Sequence, residues 1–213
     1  TYKSVLFSIS VAHKVTFNEK NEMNFGLTYR DSGQLKGSKN SYLSRYLENN
    51  FTQVGSPIPI SSEESILFNL PQKLSFGISY GLSDKYRIGL DINLANWTSN
   101  EFNNTSIQNT QEFILGGEIT PDSRNVTSYL KRVTYRFGVN YGKLPYLVQN
   151  YSINEFGINF GASFPVAGLS TLDFAIKFGE RGTIENGLIN ESFTQIVLGL
   201  TINEKWFIKR KYN

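Results

Sequence analysis

The stretch Tyr86–Ala95, YRIGLDINLA, decides the fold. Apolar side chains stand at every second position, and arginine, glycine, aspartate, asparagine and alanine fill the positions between them. A period of two is typical of a β-strand whose two faces meet different surroundings. A second stretch, Phe156–Pro165, reads FGINFGASFP and alternates phenylalanine, isoleucine or alanine with glycine, asparagine or serine. Both stretches therefore predict β-strands with one apolar face and one small or polar face.

The same alternation recurs along the chain and gives nine candidate strands. Besides the two quoted stretches, the candidates are Val5–Val11, Met23–Tyr29, Leu74–Leu82, Gln111–Ile119, Val133–Tyr141, Leu172–Phe178 and Ile196–Ile202. The composition agrees, since 14% of the residues are aromatic, 18 are glycine and only 18% are charged. This mixture suits strands and turns and argues against disorder, a coiled coil or a helical bundle. We predict an all-β, antiparallel protein.

The composition also excludes several kinds of chemistry. The chain has no cysteine, a single histidine (His13) and a formal net charge of +3. Cysteine chemistry and multi-histidine metal sites are therefore excluded, and the charge is too small for a nucleic-acid footprint. We expect no cofactor, no metal site, no nucleic-acid partner and no enzymatic activity. His13, near the end of the first candidate strand, is interpreted as a histidine at the rim of a barrel.

The second face of the strands distinguishes a soluble β-sandwich from a membrane barrel. In a sandwich this face meets water and usually carries dense charge. Here it carries small residues, which suit a crowded barrel lumen, while the bare apolar rows suit lipid. The isolated charges on the second face are Arg30, Lys73, Arg87, Arg136, Lys177, Glu22, Asp91 and Asp173. We therefore predict an antiparallel transmembrane β-barrel in the bacterial outer membrane, in contact with membrane lipid.

The connections between the strands alternate between short and long, with a connection of middling length at 120–128. Outer-membrane barrels have short periplasmic turns and long extracellular loops. We accordingly predict barrel strands over residues 1–203, with a long extracellular loop over 32–70, and a periplasmic tail over 204–213. Bacterial single-chain barrels have even numbers of strands. We therefore expect the nine candidate strands to be part of a larger barrel.

Two runs of sequence resemble a known family. The first is LPQKLSFGISY (70–80), followed by SDKYRIGLD (83–91) and closing at Asn96-Trp97; the second extends from YRFG (135–138) to WF (206–207). They resemble the FadL-like family of outer-membrane transporters for long-chain fatty acids and other hydrophobic compounds. The resemblance implies a barrel of about 14 strands, with an N-terminal plug and an opening in the wall for apolar substrate. This chain would supply the C-terminal part of such a barrel.

Charged residues of the predicted lumen are the first candidate site. A guanidinium offers a forked set of donors that would hold a carboxylate ligand. The candidate ligand-binding residues are Arg87, Asp91, Arg136 and Lys177. The alternative is an internal network of salt bridges and hydrogen bonds that holds the barrel wall.

Apolar residues of the long loop are the second candidate site. Tyr42, Leu43, Tyr46, Leu47 and Phe51 recur at spacings that indicate a short amphipathic helix before two prolines. This helix would capture hydrophobic ligand at the outer surface. The alternative is a loop that folds over the mouth of the barrel.

Three functions fit these observations. The first is facilitated diffusion of hydrophobic small molecules, such as long-chain fatty acids, through an outer-membrane barrel. The second is a non-transporting accessory or structural barrel in a larger outer-membrane complex, for example one for secretion. The third is a soluble secreted β-sandwich that acts as a binding module.

Overall fold

A computed structural model describes residues 5–17, 20–47, 53–82, 85–97, 101–102, 105–166 and 170–203. Its strands are β1 (Ser8–Phe17), β2 (Asn21–Arg30), β3 (Gly33–Tyr46), β4 (Gln53–Leu70), β5 (Gln72–Leu82), β6 (Tyr86–Asn96), β7 (Glu101–Phe102), β8 (Thr105–Ser106), β9 (Thr110–Ile119), β10 (Thr134–Val148), β11 (Tyr151–Pro165), β12 (Thr171–Gly182) and β13 (Asn190–Thr201). Short 3-10 helices cover Tyr129–Arg132 and Glu185–Gly187. None of the described helices is long and apolar enough to cross a membrane.

Nine of these strands form one antiparallel sheet, in the order β1-β2-β5-β6-β9-β10-β11-β12-β13. Each of the nine corresponds to one candidate strand of the sequence, so the prediction of nine strands is confirmed. Strands β3 and β4, which lie between β2 and β5 in the chain, form a separate two-stranded sheet. Strands β7 and β8, which lie between β6 and β9 in the chain, form a small hairpin. The strand order follows the chain order once these two insertions are set aside.

The large sheet has an apolar face and a polar face, and the pairing register extends both across the strands. Leu90 on β6 lies opposite Ile78 on β5 and Leu115 on β9, so one apolar row continues through three strands. Arg87, next to this row on the other face, lies opposite Gly81 and Glu118. A one-residue slip would exchange the two faces, so the alternation fixes the register.

The apolar face carries no second layer among the described residues. Buried hydrophobic residues are few, namely Ala95, Val133 and Ile153, whereas the phenylalanines and leucines of the apolar face are substantially exposed. Val133, which the alternation assigned to the apolar row, instead precedes β10 and is completely buried. A β-sandwich would bury its apolar rows between two sheets. The arrangement excludes the sandwich and leaves the apolar face for a hydrophobic surrounding.

The connections define two ends of the large sheet. At the tight-turn end, β1 turns into β2, β5 into β6 and β11 into β12; Lys85 N donates to Leu82 O at 3.0 Å in the second of these turns. The connection 120–133, at the same end, is longer and contains a 3-10 helix. The opposite, long-loop end holds the β3–β4 insertion. The assignment of these ends to periplasm and cell exterior stays a prediction, and the tail 204–213 lies outside the described residues.

The connection between β10 and β11 is a short turn, although it lies at the long-loop end. Strand β10 continues to Val148 and β11 begins at Tyr151, so only Gln149 and Asn150 form the turn. Both have positive φ angles, 51° and 68°, as a two-residue hairpin turn requires. The irregular register between Lys143 and Leu147 hides the strand from a test for strict alternation.

The long stretch between β2 and β5 is a β-hairpin, and the predicted amphipathic helix is wrong. Tyr42 lies opposite Pro59 and Leu43 opposite Ile58, so these residues belong to a strand ladder. Register shifts near Ser41 interrupt the alternation and leave a spacing that imitates a helix. The second strand supplies the backbone hydrogen bonds that a helix would have made internally.

Candidate functional site

The four candidate lumen residues all lie on the polar face of the large sheet, but they lie in separate places. Arg87 and Arg136 lie near the tight-turn end on β6 and β10, and a carboxylate on β9, that of Glu118, bridges them. Lys177 lies on β12 and contacts Glu155. The four residues therefore do not converge on one point.

The first cluster is a chain of polar contacts near the tight-turn end. Arg87 Nη1 lies 3.5 Å from Glu118 Oε1, and Arg136 Nε donates to Glu118 Oε2 at 3.2 Å. Arg136 Nη1 also donates to Ser163 Oγ, which donates to Asp173 Oδ1. These contacts join β6, β9, β10, β11 and β12 through side chains.

At the end of this chain of contacts, Asp173 accepts hydrogen bonds from two threonines. Its Oδ2 accepts hydrogen bonds from Thr171 Oγ1 at 3.2 Å and from Thr201 Oγ1 at 3.1 Å. The second bond reaches β13, so the contacts cross six neighbouring strands. We call the residues Arg87, Glu118, Arg136, Ser163, Asp173 and Thr201 the polar belt. Hydrogen bonds to charged groups are stronger than neutral ones, so the belt links the strands beyond their backbone ladder.

The second cluster surrounds Glu155 on β11. Lys177 Nζ donates to Glu155 Oε1 at 2.7 Å, and Arg181 donates to Glu155 Oε2 through Nε at 3.0 Å and Nη2 at 2.7 Å. Both cations also lie over the ring of Phe193, at 5.5 Å and 5.1 Å from its centroid. That ring covers Gly179, where a Cβ would have no room. The cluster is thus closely packed as well as ion-paired.

Smaller polar contacts fill the space between the clusters. Asn93 Nδ2 donates to Glu112 Oε2 at 3.1 Å, and Asn159 Nδ2 donates to Asn140 Oδ1 at 3.2 Å. The candidate residue Asp91 lies against Gly77 on the neighbouring strand, which leaves no space for a side chain there. This arrangement agrees with the predicted alternative, an internal network that holds the wall.

A cleft of about 270 Å³ opens on the polar face toward the long-loop end. Lys73, Asn93, Glu112 and Glu155 contribute charged or amide groups to its lining, and Trp97 contributes an aromatic ring. Trp97 also packs edge-on against Phe68 of the β3–β4 hairpin, with ring centroids 6.3 Å apart. The cleft therefore lies close to the base of that hairpin.

The second candidate set lies on the β3–β4 hairpin and does not form one patch. Tyr42 and Leu43 are consecutive residues of a strand, so their side chains point to opposite faces. Tyr42, Leu43, Tyr46 and Leu47 are all exposed. Phe51 lies outside the described residues.

The acids that hold the clusters together are not among the site residues predicted from the sequence. Glu118 and Glu155 lie on the polar face and pair with cations on neighbouring strands. Their place in the alternation would have put them on that face. Their partners follow only from the register between strands, which the sequence does not state.

Metal-binding chemistry has no cluster to support it in the part of the chain that the structure describes. No group of three or more histidine, cysteine, aspartate or glutamate residues occurs there. His13 lies within β1 on the apolar face, opposite Phe25, and not at the rim as expected. The reason is that β1 continues to Phe17, four residues beyond the histidine.

Comparison with known proteins identifies the family. The family model of BamG matches residues 1–213, so the chain belongs to the BamG family. No curated protein matches the chain. The family that matches is a different one from the predicted FadL-like family.

A solved structure supports the fold. The "CymD monoaromatic hydrocarbon channel" is similar with a TM-score of 0.54 and 18% identity, over 91% of this chain and 49% of that chain. This chain therefore spans about half the length of that channel. The likeness confirms the predicted fold class, an antiparallel outer-membrane barrel, and confirms the FadL-like resemblance for the fold.

Proposed function

We propose that this BamG-family chain forms part of the wall of an outer-membrane β-barrel that serves as a non-transporting accessory subunit of a larger outer-membrane complex. The exposed β3–β4 hairpin is the observation that carries the proposal. Family membership supports it too, because the family that matches is BamG and not the FadL-like transporters. The soluble sandwich is not proposed, since the fold excludes it.

The hairpin exposes an unusual number of apolar side chains. Eight of them are between 49% and 66% exposed: Tyr42, Leu43, Tyr46, Leu47, Val54, Ile58, Ile60 and Leu67. An isolated two-stranded hairpin is at best marginally stable in water. Leu43 lies opposite Ile58, so these two side chains are neighbours on one face of the hairpin, and exposed apolar neighbours of this kind mark an interaction site. The hairpin therefore requires a partner to cover it.

The length of the hairpin favours a protein partner over lipid. Strand β3 has 14 residues, which at about 3.4 Å per residue makes it roughly 48 Å long. The hydrocarbon layer of a bilayer is only about 30 Å thick. Because the hairpin leaves the large sheet at the long-loop end, most of it must lie outside the membrane. A protein surface is then the partner that can cover its apolar side chains.

The polar face argues against a route for apolar molecules. The polar belt and the Glu155 cluster present charged and amide groups to the enclosed side of the wall. An apolar molecule gains nothing by leaving water for such a surface, because hydrophobic stabilisation requires apolar contact. The ion pairs instead stabilise the wall itself.

Affinity purification of the full-length protein in mild detergent tests the proposal. The variant Tyr42→Ser, Leu43→Ser, Tyr46→Ser removes apolar surface from the hairpin, and we expect it to lose a stoichiometric outer-membrane partner. The matched control is Ile184→Ser, Ile189→Ser, which removes two apolar side chains that are 81% and 82% exposed in another loop. The control should keep the partner. A wild-type protein that purifies alone, or a hairpin variant that keeps every partner, contradicts the proposal.

A second function, passage of hydrophobic compounds, is favoured by the likeness of the fold to a hydrocarbon channel. In this case the barrel would give apolar molecules a route past the polar outer leaflet. Uptake of a labelled long-chain fatty acid by a deletion strain tests it. Restored uptake after complementation supports transport, and unchanged uptake after deletion removes it.

A further inference from the structure

A cleft of about 260 Å³ lies on the polar face at the tight-turn end. Three cationic side chains, Lys85, Arg87 and Arg136, line it together with the single carboxylate of Glu118. The lining therefore carries two more positive than negative charges. An anion entering this cleft would be attracted by the excess.

The two arginines keep donors free although both contact Glu118. A guanidinium has five N–H donors in a planar fork. Arg87 places one nitrogen near Glu118, and Arg136 uses one for Glu118 and one for Ser163. The two side chains remain 52% and 48% exposed. A second oxyanion can thus accept hydrogen bonds from both guanidinium groups without displacing Glu118.

Threonine hydroxyls add neutral polar groups to the cleft. Thr120 Oγ1 and Thr134 Oγ1 lie 2.7 Å apart, so one hydroxyl donates to the other and the second keeps its proton for a ligand. Thr120 N donates to Lys85 O at 2.7 Å, which fixes the backbone of the lysine beside the cleft. The lining is held by backbone and side-chain contacts before any ligand arrives.

The adjoining loop contains one more carboxylate, Asp122, which has its own partners. Asp122 Oδ1 accepts from Arg124 N at 3.2 Å, and Asp122 Oδ2 accepts from Asn125 Nδ2 at 3.0 Å. Those bonds occupy the aspartate within its loop. Lys85 also attracts the Asp122 carboxylate electrostatically, whereas Glu118 is the carboxylate in direct contact with the two arginines.

We infer that this cleft is an oxyanion-binding site that takes a carboxylate or phosphate group presented from the tight-turn end of the polar face. Arg87 and Arg136 supply the forked donors, Lys85 supplies further positive charge and the threonine pair supplies a hydroxyl. The inference goes beyond the accessory function and does not depend on it, because the cleft lies at the other end of the sheet from the hairpin.

The experiment titrates full-length protein in detergent with inorganic phosphate and, separately, with acetate. Binding is measured by calorimetry and by the shift of the Arg87 Nε–Hε resonance. We expect saturable binding of at least one of the two anions. Arg87→Gln should weaken it about tenfold, the effect of losing one charge-assisted bond. Arg87→Lys should recover part of the loss, because it restores the charge without the fork.

The matched control is Lys14→Gln, which removes a cation of the polar face that is already paired with Glu22 at 2.6 Å. This variant should bind like the wild type. Binding of phosphate alone or of acetate alone identifies the preferred group and supports the site. The absence of saturable binding for both anions, or equal weakening by Arg87→Gln and Lys14→Gln, overturns the inference. Thr134→Ala provides a second test within the cleft if Arg87→Gln does not fold.

Discussion

Replacing Glu155 with glutamine keeps the shape of the side chain but removes the charge that pairs with Lys177 and Arg181. Glu155 is 15% exposed, Lys177 23% and Arg181 38%. Breaking a fully buried ion pair costs about 3–5 kcal/mol. Because Arg181 is partly exposed, solvent screens some of this, and we expect a loss of about 2–3 kcal/mol in the free energy of unfolding. The ring of Phe193 lessens the repulsion between the two cations that remain.

Equilibrium unfolding in urea, with the protein in detergent or lipid, measures this loss. Tryptophan fluorescence reports the transition, and the midpoint should fall without a change in slope. Glu180→Gln is the control, since Glu180 lies on β12 opposite Phe156 on the apolar face and takes part in none of the ion pairs found among the described residues. The control should change stability by less than about 0.5 kcal/mol. Equal midpoints for Glu155→Gln and the wild type would refute the structural role of the cluster.

Two further predictions concern the wall and one of its loops. Gly81→Ala should cost about 1–2 kcal/mol in the same unfolding experiment, because a Cβ there meets the backbone of Tyr86 and Arg87 on the neighbouring strand. Gly26→Ala, on the neighbouring strand β2, meets no atom within 4 Å and should be neutral, so equal losses would contradict the packing. The bond from Asn125 and then that from Arg124 N hold the pKa of Asp122 below its usual 3.8. A lowered pKa stabilises the loop at higher pH, and this contribution disappears as the pH falls through the pKa of the folded loop. Amide exchange at Arg124, corrected for intrinsic rates, should therefore accelerate at low pH, and Asp122→Asn should abolish that acceleration.

The strands of the wall could be predicted because the alternation within each strand identifies its apolar face and its polar face. In Tyr86–Ala95 the apolar residues occupy one parity and the polar residues the other, so a strand and its two surroundings follow without knowledge of any neighbour. The tight turns then make consecutive strands partners, as β5 and β6 are across residues 83–85. These local facts account for the neighbours joined by tight turns, whereas pairs such as β2 and β5 are joined across longer connections.

Side-chain partners could not be predicted in the same way. Arg87 and Arg136 were recognised as lumen charges, but Glu118, which bridges them, was not. A bridge between strands depends on the register of two pairings and on the rotamers of long side chains. Alternation within a strand gives neither the register between strands nor the rotamers of their side chains.

The prediction of a helix in the β3–β4 hairpin was wrong for a different reason. Its bulges near Ser41 break the alternation, and Tyr42, Leu43 and Tyr46 then fit a helix as well as a strand. Short apolar runs are ambiguous between helix and strand when periodicity is the only guide. The backbone ladder to β4 resolves that ambiguity, because it satisfies the polar groups of both strands.

The insertion of this hairpin into an unbroken wall has a consequence for how such proteins diversify. Arg30 on β2 lies opposite Lys73 on β5 in the strand ladder, so the large sheet is already continuous below the β3–β4 hairpin. Lengthening an inserted segment adds little closure entropy, about 0.6 kcal/mol per doubling. Hairpins of other lengths can thus be exchanged at this position, by evolution or by grafting, while the register of the large sheet stays the same.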